Sequence, residues 1–140
     1  MSKAKTLYVG CSITHSPKEA LAQVNKFKSD LSDMGYKIND FFDLSVDVTP
    51  AEVYRHDIER CIRTSDGFIA ICDHPSTGLG FELGEAANLN KPVLLLVHKD
   101  THLTRLIIGA AEVLPNFELV RYDSFDEGVM AIAEKWLAKL

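Results

Sequence analysis

Two carboxylates occupy positions where a folded chain seldom leaves them. Glu82 follows Gly78 and Gly80 in the stretch HPSTGLGFELGEAANLNKPVLLL, residues 74 to 96. On a helix it shares a face with Ala86 and Leu89, at i+4 and i+7, and heads a small-residue stripe that should face the interior. Asp57 lies in the row 53, 57, 61 of a predicted helix over residues 50 to 64, whose apolar side carries Val53, Tyr54, Ile58, Cys61 and Ile62. A carboxylate among apolar side chains is unfavourable unless it lines a wet cavity or meets a cation. Two such groups on helices flanking one strand fit glycosidic-bond chemistry: one attacks the anomeric carbon while the other assists the departing group. The helix dipole should keep Glu82 ionised there; the structural alternatives are a surface Glu82 that only helps the dipole, and an Asp57 paired with Arg60 or Arg63.

The segment from Asp73 to Gly80 leads from a strand to a helix, and its glycines let backbone N–H groups converge on an anion where the helix N-terminus adds partial positive charge. It is neither a Rossmann loop, since Gly84 comes four residues after Gly80, nor a P-loop, since no Lys and Ser or Thr follow the last glycine. A tight turn with no ligand is the alternative. His98 and His102 have helical spacing, but Lys99 and Asp100 mark a strand end and a loop, so no zinc pair and no metal are expected. His15 and His74 fall near the carboxyl edge of the predicted sheet, within reach of a ligand. Tyr8, inside the first strand, reads as a packing residue. Cys11, Cys61 and Cys72 are odd in number and lack CxxC spacing, so they read as buried thiols in a reducing compartment, without disulfides.

These groups need a scaffold, and the pattern supplies one. Strand-like runs at 5 to 11, 36 to 43, 67 to 73, 92 to 97 and 117 to 123 alternate with helical spacings. Ala20, Leu21, Val24, Phe27, Leu31 and Met34 form one apolar stripe; Phe125, Val129, Ile132, Trp136 and Leu140 form another. Capping boxes open three segments, at Ser16 to Glu19, Thr49 to Glu52 and Ser124 to Glu127, with Pro17 and Pro50 at first helical positions. At 140 residues and 46% hydrophobic content the chain makes a single domain over 1–140. The expected fold is α/β, three-layered and Rossmann/flavodoxin-like, with a five-stranded parallel sheet in the order 2-1-3-4-5. Ligands then bind beyond the carboxyl ends of the strands. A net charge of -5 argues against a nucleic-acid polymer as partner. The absence of a membrane-length apolar run or a signal-like start leads us to expect no membrane partner and a cytoplasmic location. A receiver-type signalling domain would share this architecture with Asp73 as phospho-acceptor, but Gly10 and Cys11 replace the acidic pair it needs.

Taken together, the run YVGCSIT from Tyr8 to Thr14, the segment HDIERC, the glycine-containing stretch above, and HLTRLIIGAAE followed by FELVRYD resemble the 2'-deoxynucleoside 5'-phosphate N-hydrolases of the nucleoside 2-deoxyribosyltransferase superfamily. The resemblance runs in order from Tyr8 to about Tyr122, and its most specific motif is P-S-x-G-x-G-[FY]-E-L-G. It implies a Rossmann-like fold and a homodimer with sites near the interface. It makes Glu82 the nucleophile on C1' of deoxyribose and Asp57 the group that binds or protonates the nucleobase, with the Tyr8 hydroxyl beside the sugar. Ser76, Gly78 and Gly80 match the phosphate contacts, Ser12 and Ile13 match the first-strand loop, and Thr104 stands where the family has a serine from the neighbouring subunit.

The sequence departs from the family twice: Thr14 replaces a phosphate-binding arginine, and Cys11 replaces a glycine. Loss of the arginine removes a charge-assisted contact, for which His15, Lys18 or Arg105 are the substitutes at hand. The implied ligand is a small deoxynucleotide or deoxynucleoside, and the implied reaction releases free base and 2-deoxyribose 5-phosphate through a covalent glycosyl-Glu82, with no cofactor. The alternatives are base exchange on deoxynucleosides, as in a nucleoside 2-deoxyribosyltransferase, and a non-catalytic nucleotide-binding sensor. Base preference depends on residues 43 to 50.

Overall fold

A computed structural model describes residues 4–40 and 47–140. Five strands, β1 (Thr6–Gly10), β2 (Lys37–Asn39), β3 (Gly67–Ile71), β4 (Val93–His98) and β5 (Phe117–Tyr122), pair in parallel in the order β2-β1-β3-β4-β5. This is the expected topology. The expected second strand reached residue 43, but its part beyond residue 40 lies outside the described residues. Strand β3, and β4 up to Val97, are unbroken apolar runs because helices cover both faces of a parallel sheet.

The two-residue period of each strand divides its side chains between two cores. Leu7, Val9, Ile69, Ile71, Leu94 and Leu96 pack against α1 (Lys18–Asp33) and α5 (Phe125–Leu137). Tyr8, Phe68, Ala70, Leu95 and Val97 pack on the opposite face, under the helical segment from Pro50 to Ile62, α3 (Thr77–Asn88) and α4 (Arg105–Val113). Tyr8 is therefore on the same face of the sheet as the helices that carry Asp57 and Glu82. A Cβ on Gly10 would come within 3.0 Å of the Phe68 ring and 3.3 Å of the Tyr8 ring, so glycine there leaves room for that aromatic pair, whose centroids are 5.1 Å apart.

The helix from 50 to 64 differs from the simple α-helix expected. Thr49 and Glu52 form the predicted capping box, and Pro50–Tyr54 is α-helical (α2), but Arg55–Ile62 continues as a π-helix, with Arg63 N–H donating to the Ile58 carbonyl at 3.0 Å. The wider turn changes which residues face inward: Ile58, Cys61 and Ile62 are buried, Tyr54 is exposed, and Asp57 is half-buried at the edge. π-Helical insertions of this kind are frequent at functional sites. The Asn39 amide fastens the far end by donating to the Cys61 carbonyl and Thr64 hydroxyl, both at 3.1 Å.

Four further expectations are corrected. Pro17 is the N-cap of α1, so Ser16 sits one residue outside the helix and its capping box does not form. Ser124 holds the N-cap of α5 without a side-chain bond into the helix. Met34 is exposed because α1 ends at Asp33, where Gly35 turns the chain with φ of 103°. Leu89, the C-cap of α3, is likewise exposed.

Candidate active site

A cleft of about 280 Å³ opens beyond the carboxyl ends of β1 and β3, where the strand order reverses. Tyr8, Asp57 and Glu82 line one part of it. Glu82 lies in the second turn of α3 and is only 8% exposed, and its Oε2 is sealed from solvent with no hydrogen-bond donor among the described residues. Burial pushes its carboxyl up to about 8; the neighbouring Tyr8 hydroxyl opposes that shift, and the Asp57 charge adds to it. The expectation that the helix dipole keeps Glu82 ionised is therefore overturned: the dipole acts on the first turn, and Glu82 lies beyond it in an apolar surrounding.

Asp57 also has an oxygen, Oδ1, buried without a partner among the described residues. Burial raises its carboxyl above the ordinary value, and His56 partly counters the shift. The alternative of a pair with Arg63 does not hold, because Arg63 binds Glu85 at 3.1 Å. Burial, then Glu82 and Asp57, hold the Tyr8 hydroxyl well above its usual range, so at neutral pH it can donate a hydrogen bond but not serve as a base. The Cys11 thiol nearby is pushed up by burial to about 11 and remains protonated, so it does not compete as a nucleophile.

The rest of the cleft is suited to an anion. Ser12, Ile13, Thr14 and His15 line it from the β1 side, and Ser76, Thr77 and Gly78 from the start of α3. Ser76 Oγ caps α3 by accepting from Leu79 N–H at 3.2 Å, and Ser12 Oγ accepts from His15 N–H at 3.0 Å. Each hydroxyl thus spends acceptor capacity on the backbone and keeps its proton for a ligand. Gly80 is not part of this end: it lies inside α3, its N–H donates to the Ser76 carbonyl at 3.1 Å, and it faces a different hollow. Thr77 takes its place, since the first helical amides have no intrahelical acceptor. Sequence reading missed Thr77, although Ser76 as a helix N-cap was the signal that could have found it.

Thr104 is exposed at the N-cap of α4 and lines a separate apolar hollow of about 310 Å³ with Leu79, Leu83, Leu103 and Leu106. His74 faces the opposite side of the sheet, beside Val24 and Phe125. Asp73 accepts a hydrogen bond from His98 N–H at 2.6 Å and another from the Tyr122 hydroxyl, so it ties three strand ends together and is not a free phospho-acceptor. His56, Asp57 and Cys61 offer ligand atoms within 4.8 Å of one another, but the Asp40 carbonyl already engages His56 Nε2 at 2.7 Å and Cys61 Sγ at 3.4 Å. A groove of about 320 Å³ between α1 and α5 has its polar groups paired internally, Lys26 with Asp30 and Gln23 with Asp126.

Residues 7–131 match the family model of the nucleoside 2-deoxyribosyltransferases. The chain belongs to that family. A Thermofilum pendens protein named "Putative 2'-deoxynucleoside 5'-phosphate N-hydrolase 1" is 32% identical over 120 residues, which cover 80% of this chain and 82% of that one. Among solved structures, the Clostridium botulinum CMP N-glycosidase superposes with a TM-score of 0.72 at 18% identity, over 92% of this chain and 99% of the other. The 2-deoxyribosyltransferase of Leishmania mexicana follows with a TM-score of 0.64 at 21% identity, over 93% and 97%. These two likenesses show the shared fold. As a member of the nucleoside 2-deoxyribosyltransferase family, the chain is an enzyme of the N-glycosidase or deoxyribosyltransferase kind.

Proposed function

We propose that the protein hydrolyses the N-glycosidic bond of 2'-deoxynucleoside 5'-monophosphates. The observation that carries this reading is the pair of unpartnered carboxylate oxygens, Glu82 Oε2 and Asp57 Oδ1, at a cleft whose other end presents hydroxyl and amide donors. An ionised Glu82 attacks C1' as the C1'–N bond breaks, and the proton of Asp57 passes to the departing base. The product is a glycosyl ester on Glu82. Water then attacks C1', gives its proton to Asp57 and releases deoxyribose 5-phosphate with Glu82 restored. The Tyr8 hydroxyl, protonated and lining the cleft beside the carboxylate, steadies it for attack. No cofactor enters this scheme.

The 32%-identical relative named as a deoxynucleoside 5'-phosphate N-hydrolase favours this substrate class. Thr14 at the anion end favours, as the second reading, base exchange on unphosphorylated deoxynucleosides. Incubating the protein with deoxynucleosides or their monophosphates plus a labelled free base separates the two. We expect base and deoxyribose 5-phosphate to appear from the monophosphates; label entering nucleoside would identify a transferase instead. Intact substrate in every arm would leave only a sensor.

We further propose a homodimer in the cytoplasm. The free, buried cysteines fit a reducing compartment, and no helix among the described residues is long and apolar enough to cross a membrane. Helix α4 has no buried residue, and Leu106 and Val113 are each 79% exposed, with Phe81 of α3 also exposed. Such a surface is typical of one that meets a partner. Thr104, beside it, would then approach a neighbouring cleft. We expect Leu106→Glu to shift the protein to monomer in light scattering and to reduce turnover, while circular dichroism stays unchanged because the side chain is outside the core. A variant that remains dimeric would place the interface elsewhere.

A further inference from the structure

The structure points to His15 as the residue by which this chain selects a 5'-phosphate, an assignment that rests on the monophosphate reading above. The cleft contains two acids, Asp57 and Glu82, and among the described residues lining it His15 is the only one whose side chain can carry positive charge, with no lysine or arginine beside it. A doubly charged phosphate entering a space that already holds carboxylates needs a cation or a dense set of donors to offset the repulsion. Thr14, next in the turn, brings a hydroxyl and no charge.

The backbone places His15 for this task. Its N–H is held by the Oγ of Ser12, which is only 3% exposed, so the turn after β1 is pinned to a buried anchor while the imidazole stays at the accessible rim. Across the cleft stand Ser76, Thr77 and Gly78 at the start of α3. A helix start alone does not define a site, but here Glu82, more than nine-tenths buried and with Oε2 unpartnered, lines the same cleft. A sugar with its C1' at Glu82 extends its 5' substituent toward the end where the hydroxyls, the amides and the imidazole converge. An imidazole offers a ring N–H donor in either protonation state. Other cations are placed elsewhere: Lys18 on α1 and Arg105 on α4 do not line the cleft, and Lys28 binds Asp40 at 3.0 Å.

Binding calorimetry tests the assignment without depending on turnover. The ligands are deoxyribose 5-phosphate and, in a Glu82→Gln background, a deoxynucleoside with and without its 5'-phosphate. The proteins compared are wild type, His15→Ala, His15→Arg and Arg105→Ala. We expect His15→Ala to weaken both phosphorylated ligands about tenfold or more, with His15→Arg restoring them and the unphosphorylated nucleoside indifferent to either change. In kinetics with Glu82 intact, the preference for monophosphate over nucleoside should fall through KM rather than kcat. Equal binding by wild type and His15→Ala, parallel loss for both ligand types, or the loss appearing in Arg105→Ala instead would each overturn the assignment. A wild type that binds deoxyribose 5-phosphate through His15 yet cleaves nothing would overturn the hydrolase reading and leave the role of His15 standing.

Discussion

Replacing Glu82 with glutamine is expected to abolish base release and, at the same time, to make the protein harder to unfold at pH 8. Loss of the attacking oxygen removes the covalent route, which should lower kcat on the order of 10^4-fold or more. The stability gain follows from linkage. In the folded protein the Glu82 carboxyl is raised to about 8 by burial, whereas in the unfolded chain it titrates near the ordinary value of about 4.3. Between those two values the folded state holds a proton that the unfolded state has released, so this group's contribution to stability is full below the unfolded value and is lost as pH rises through about 8. Glutamine resembles the protonated form and has nothing to lose. The melting temperature of Glu82→Gln should therefore exceed that of wild type at pH 8 to 9 by several degrees, with the difference shrinking toward pH 5. Equal melting curves at both pH values would mean that Glu82 is hydrated, and the nucleophile assignment would fall with it. In this reading the protein accepts a less stable cleft in order to hold a poorly solvated, reactive carboxylate.

Substituting Asp57 with asparagine should slow base release by about 10^2- to 10^4-fold, the range of a lost general acid, and should also remove the alkaline decline from the pH profile. The two carboxyls titrate as a pair, both raised by burial, and the Asp57 charge pushes Glu82 further up. The competent form has one proton in all, on Asp57, with Glu82 ionised. Wild-type kcat/KM should accordingly pass through a maximum and decline above about 8, as the pair loses its last proton. With asparagine only Glu82 titrates, and its removal from the field of Asp57 lowers its pKa, so the residual activity should rise with pH to a plateau. A wild-type profile that instead rises through pH 8 would assign Asp57 to holding the base as an ionised acceptor rather than to protonating it. Substrates whose leaving base needs no protonation should lose much less in the variant.

How far the site could be read beforehand differs from residue to residue. Glu82 is conspicuous because a carboxylate at i and alanine at i+4 share one helical face, and both are buried in the fold. Asp57 was conspicuous for a similar reason, but the row that singled it out assumed α-helical spacing. The π-helix from Arg55 to Ile62 leaves Asp57 at the edge of the core, lining the cleft, while Tyr54 points outward. No propensity distinguishes eight residues of π-helix from α-helix, because the difference is decided by what the turn packs against. The glycine spacing by itself suggests a loop that would offer the Gly80 amide to an anion, whereas the Ser76 cap starts α3 early enough to bind that amide internally.

The sequence by itself determined the layered fold: the alternation of short apolar runs with helical stripes admits few arrangements, and the parallel order β2-β1-β3-β4-β5 is the economical one. Its motifs also point to the family through local patterns of residue type. What tertiary structure alone decided is protonation and direction. Whether Glu82 is charged depends on how many apolar atoms displace water around it, and that number is set by side chains from β1, the π-helix and α3 together. Which of the hydroxyls at the cleft has a proton left to give depends on which backbone amide each already serves, Ser12 for His15 and Ser76 for Leu79. Both are properties of groups brought together from distant parts of the chain, so no window of sequence contains them.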